Sequence, residues 1–78
     1  MIYGYASQRL SDEGMLEMRE VSFDFPASAL REVADFLNSC AELLETGEFR
    51  HSHLHIRSCT KWRFPETDII VLRSEADA

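Results

Sequence analysis

His51, His53 and His55 alternate along the run His-Ser-His-Leu-His. Imidazole is the side chain best suited to metal ligation and to proton transfer near neutral pH. On an extended strand the three project from one side, with neighbours ~7 Å apart. Two such rings can share a metal at Zn–N distances of ~2 Å. A third ring from the same straight strand strains to reach, and the set fits tetrahedral zinc poorly. We therefore expect a polar, partly solvated sheet face with no bound cofactor, and His51, His53 and His55 stand as the candidate metal ligands.

Catalysis has thinner support. A Cys–His pair can form a nucleophile, and the chain holds Cys40 and Cys59. Cys40 falls on an apolar helical stripe and reads as a small core residue. Cys59 has Arg57 and Lys61 close in sequence, which favour a thiolate. No motif supplies an oxyanion hole or a third orienting group, so the expectation is a protein that is not an enzyme. Arg57, Lys61, Trp62 and Arg63 mix cations with an aromatic ring. That mixture suits stacking on single-stranded nucleic acid or a tryptophan folded over the core edge.

The elements that must position these residues follow from periodicity. Ile2–Gln8 alternates as a short strand, and Ser11-Asp12-Glu13-Gly14 is a turn signal with Gly14 able to take positive φ. Met15–Phe25 is a second strand with Val21, Phe23 and Phe25 on one side, so the two strands form a hairpin. A helix is expected over Ser28–Thr46, with Ser28 as N-cap and Gly47 as the left-handed stop. Its apolar stripe is Leu30, Val33, Ala34, Leu37, Cys40, Ala41 and Leu44, widened by Phe36 and Leu43. This stripe is expected to clamp the sheet through Phe23, Leu54, Ile56 and Ile70 or Val71, which makes Leu37 a core position. Phe49–Cys59 reads as a third strand, Thr60–Thr67 as a loop and Asp68–Arg73 as a fourth strand, with Ser74–Ala78 frayed. The expected fold is α+β: a two-layer ββαββ unit with one amphipathic helix on a mainly antiparallel four-stranded sheet. The order of strands across that sheet is left open.

Seventy-eight residues allow one domain, with a core over residues 15–73. A chain this short buries only ~60% of its unfolded surface. The net charge of −6 argues against a duplex-DNA or anionic-membrane binder, since both need a positive footprint. No apolar run approaches the ~20 residues of a membrane span. No basic-then-apolar leader is visible, and two cysteines are too few for a disulfide framework. A cytoplasmic protein is expected. The charges are uneven: residues 1–48 hold ten acids and three bases, whereas residues 49–65 hold no acid and four bases. Glu42, Glu45 and Glu48 cluster where the helix should end, and negative charge there opposes the helix dipole by ~0.3–1 kcal/mol per group. With Asp35 they form the candidate partner-binding patch.

Three segments carry a likeness to a known family. They are Glu20-Val21-Ser22-Phe23 followed by Leu30-Arg31-Glu32-Val33-Ala34-Asp35-Phe36-Leu37, then Phe49-Arg50-His51-Ser52-His53-Leu54, and finally Pro65-Glu66-Thr67-Asp68-Ile69-Ile70-Val71. The stretch resembles small bacterial immunity proteins of the immunity-protein-32 type, which belong to polymorphic toxin systems. The resemblance implies a non-catalytic inhibitor that neutralises a cognate protein toxin by direct contact, and it assigns no contact residues. Residues 1–14 have no counterpart in it and read either as an additional strand or as an extension ahead of Met15. The alternative function is a metal- or ligand-binding module built on the His51, His53 and His55 face. In a homodimer, two such strands about a twofold axis would bring the imidazoles together.

Overall fold

A computed structural model describes residues 1–10 and 14–73. The expected turn residues 11–13 and the expected tail 74–78 lie outside them. In order, the elements are β1 (Ile2–Leu10), β2 (Leu16–Phe23), α1 (Ala27–Thr46), β3 (His53–His55), α2 (Ile56–Cys59) and β4 (Ile70–Leu72). The α+β class and the leading hairpin agree with expectation. The four-stranded sheet does not form: β1 pairs with β2 and β3 with β4, giving two separate antiparallel sheets.

The reason lies in β3. Ile56 N donates to Ile69 O at 2.9 Å, and just beyond this rung the chain coils. Thr60 N and Thr60 Oγ1 both donate to Ile56 O at 3.0 Å, which closes α2. The strand expected over Phe49–Cys59 is therefore cut to His53–His55, too short an edge to accept the first hairpin. Arg57 and Cys59 sit on α2 rather than on the histidine face.

The helix begins one residue earlier than expected. Pro26, extended at ψ 161°, occupies the N-cap position, and no side chain caps the helix. Ser28 does not act as the cap; its hydroxyl accepts from Arg63 Nη2 at 2.7 Å. The C-terminus follows the sequence reading. Gly47 adopts φ 75°, and Glu48 N reaches back to Leu43 O at 2.9 Å. A left-handed residue here costs glycine little and most other residues more.

The core is small and one-sided. Val33, Phe36 and Cys40 of α1 pack with Phe49 and Ile56, and Leu43, Leu54, Trp62, Ile69 and Val71 close around them. Ala29 is also fully buried. The buried face of α1 is thus 29-33-36-40-43. The expected stripe is corrected at Leu30, Leu37 and Leu44, which are exposed. Successive helical residues turn by about 100°, so the two apolar rows lie about a quarter-turn apart on the cylinder. Phe23 and Ile70 are likewise exposed, and Val71 is the β4 residue on the core side.

The first hairpin is fastened at its base. Met1 and Asp24 exchange backbone bonds, with Asp24 N donating to Met1 O at 2.9 Å and the Met1 amine to Asp24 O at 2.6 Å. Phe25 packs on Trp62 and Phe64 at centroid distances of 5.3 and 4.9 Å. Beyond this base Met18, Val21 and Phe23 of the hairpin are exposed. Gly4 permits the close approach of the two strands. A Cβ there would fall on Met18 Cε and within 2.6 Å of the Glu20 carbonyl oxygen.

Ile56 has no exposed surface and sits in the core cluster with Val33, Phe36, Cys40 and Phe49. Ile56→Ala is expected to destabilise the fold by ~2–5 kcal/mol, a large share of what a domain this small possesses. Urea unfolding followed by circular dichroism measures this directly.

Candidate functional site

The β3–β4 register pairs His53 with Leu72, Leu54 with Val71 and His55 with Ile70. Leu54 and Val71 face the core, so His53, His55, Ile70 and Leu72 share the outer side. His51 precedes the strand. The three histidines, with Ser52, Leu54 and Ser58, line one open cleft of about 350 Å³.

Two of the rings are close. The centroids of His53 and His55 lie 4.9 Å apart in an edge-on arrangement. Ser52 Oγ is 2.9 Å from His53 Nδ1. His55 Nδ1 lies 2.5 Å from Asp68 Oδ2, and Arg57 Nε donates to the same oxygen at 3.2 Å. An ionised carboxylate only accepts, so the His55 proton sits on Nδ1 and Nε2 is the nitrogen left for a ligand. Ile69 N donates to the second oxygen, Asp68 Oδ1, at 2.9 Å. A carboxylate behind an imidazole is the arrangement that fixes the tautomer and orientation of metal-binding or proton-transferring histidines. Among the described residues no group of three or more His, Cys, Asp or Glu side chains is placed to hold a metal ion.

Asp68 escaped the sequence reading. It lies thirteen residues from His55, and only the β3–β4 pairing brings the two together. Burial alone would raise its carboxyl pKa. The hydrogen bond from His55, the positive charge of Arg57, that of His55 when it is protonated, and the bond from Ile69 outweigh burial and hold it below the usual carboxylate range.

The acidic candidates have a different setting. Asp35, Glu42, Glu45 and Glu48 are all exposed. Among the described residues the ion pairs run to Glu17 and Asp68, so none of these four acids is in an ion pair, and Arg31 is the one base on their side of α1, a turn before Asp35. The last turn of α1 carries no base. Asp35 and Glu42 fall on the side of the helix away from the core, and Glu45 stands between them and the exposed leucines.

Cys40 and Trp62 are accounted for structurally, and Cys59 is exposed. Cys40 is buried as expected; burial pushes its thiol pKa up, and Cys59 adds to the shift. Trp62 packs against the core and donates from Nε1 to Thr67 O at 2.8 Å, so its ring is a structural element rather than an open stacking platform. No helix among the described residues is long and apolar enough to cross a membrane.

The Asp68 geometry has a pH consequence. In the unfolded chain its pKa returns to ~3.9. The ionised group therefore stabilises the fold above that pH, and the contribution is lost as pH falls through the lowered native value. Asp68→Asn should cost on the order of 1 kcal/mol at neutral pH. It should also flatten the pH dependence of stability below about 4, as read by denaturation at several pH values.

Compared with protein-family profiles, with characterised proteins and with solved structures, the chain gives no match.

Proposed function

We propose that this is a non-catalytic binding protein that acts by direct contact with another protein, in the manner of a cytoplasmic immunity protein neutralising a cognate bacterial toxin. The observation that carries the reading is the acidic patch without ion pairs formed by Asp35, Glu42 and Glu45 on α1 and by Glu48 just past its end. Acids at a helix C-terminus oppose the dipole, and no ion pair within the described fold compensates them. A basic partner surface would. Such a patch steers a cationic protein into contact and raises the association rate. The likeness of the three segments to immunity proteins of the immunity-protein-32 type supports the same reading.

The test is co-expression and pull-down with the protein encoded by the neighbouring gene. Protection of the cells and a salt-sensitive complex are expected. Replacing Glu42, Glu45 and Glu48 together with Gln should slow association by about tenfold or more at low salt. Failure to protect, with no complex at low salt, would remove the proposal.

A second reading rests on the close His53–His55 pair, with Asp68 orienting His55. Here the cleft takes a metal or a small ligand, with further donors from a second chain or from solvent. Zinc added to protein purified without an affinity tag should then raise the melting temperature, and His55→Ala should abolish the rise. An unchanged melting temperature in the native protein would end this reading.

A further inference from the structure

The chain leaves two apolar strips open to solvent. One is a face of the first hairpin. The register pairs Ile2 with Phe23, Gly4 with Val21 and Ala6 with Met18. These residues share a side of the sheet, and Met18, Val21 and Phe23 are 43, 49 and 47% exposed. The other strip is the second row of α1. Leu30, Leu37 and Leu44 are exposed large residues, and Ala34 and Ala41 fall between them.

The two strips match in size and chemistry. From Leu30 to Leu44 the helix rises about 21 Å. From Met18 to Phe23 the strand rises about 17 Å. Neither row contains a charge. Within the described residues the side chains of Met18, Val21 and Phe23 are left about half exposed, so no other described part of the chain covers this face.

The exposed area supplies a quantity to be explained. A folded monomer of 9.0 kDa is expected to expose about 4,900 Å². This chain exposes 6248 Å². The excess is about 1,350 Å² per chain, so two chains covering it would bury about 2,700 Å², in the range of permanent protein–protein interfaces. The radius of gyration agrees, at 13.5 Å against about 11.5 Å for a compact domain of this length.

We propose that a second copy of this chain is the occupant, with the hairpin face Ile2–Met18–Val21–Phe23 of each protomer seated on the Leu30–Leu37–Leu44 row of its partner about a twofold axis. One twofold operation covers both strips of both chains, and the contact closes without free ends. Asp35 and Glu42 lie well around the helix from the leucine row, and Glu45 stands at its edge. This pairing does not rest on the function proposed above, since it uses neither the acids nor the histidines.

Sedimentation equilibrium of the full chain tests it, read together with the sedimentation coefficient. A mass of twice 9.0 kDa is expected at micromolar concentration. Val21→Lys and Leu37→Glu should each raise the dimer dissociation constant at least ~100-fold. Both positions are exposed within one chain, so helix content by circular dichroism should be retained. Mixing the two variants sets the introduced ammonium of one chain against the introduced carboxylate of the other and should restore a dimer that neither forms alone. Dimerisation of each variant at wild-type strength overturns the proposal, as does failure of the mixture to recover. A monomer at all concentrations also overturns it, and a compact one would mean that the hairpin closes on its own helix. Assemblies larger than two overturn the reciprocal geometry.

Discussion

Phe36 and Cys40 packed on Phe49 and Ile56 form the contact on which the rest of the structure depends. It joins the helix to the segment that follows, and everything else is attached to that join. The αL residue Gly47 reverses the chain so that Phe49 can return beneath the helix; Phe49 N bonds Leu43 O at 3.1 Å. Ile56 then sits where β3 ends and α2 begins, so its burial also fixes where the histidine strand stops. The outer side of β3 is polar because its inner side, through Leu54, belongs to this core. With so few residues fully buried, hydrophobic stabilisation per chain is limited. That constraint gives weight to the apolar surface left outside.

Much of the organisation was legible from local signals. Gly47 ended the helix because positive φ is cheap for glycine. Gly14, at φ 83°, and the alternation around it marked the hairpin. Cys40 was readable as core from its helical position. The buried face of the helix was not readable. Rows 29-33-36-40-43 and 30-34-37-41-44 are both apolar at helical spacing, so periodicity defined a wide stripe without saying which edge is inside. Tertiary contact with Phe49 and Ile56 decides it. The third strand was overextended for a related reason. Alternation of His and apolar residues continues formally through Arg57, but Thr60 captures the Ile56 carbonyl and coils the chain.

The candidate sites divide along the same line. The shared side of His53 and His55 follows from strand geometry alone. Their electrostatic partner does not, because Asp68 reaches His55 only through the pairing of two strands separated by a long loop. The acidic side of α1 was visible as composition and position. Its lack of ion pairs became visible only once the neighbours were placed. The chain thus carries three chemically distinct surfaces: acids on the far side of the helix, imidazoles with a carboxylate behind one of them, and two uncharged apolar strips.

In the proposed dimer the core beneath Phe36 and Ile56 holds one part of each chain, while the first hairpin depends on contacts with the partner. Native-state hydrogen exchange at several protein concentrations tests it most directly. In dilute solution the amides of α1 around Phe36 and Cys40 should be protected, while those of β1 and β2 exchange much faster. Raising the concentration should slow exchange selectively in the hairpin and along the Leu30–Leu44 row. Uniform protection of hairpin and helix, unchanged by concentration, would contradict the account.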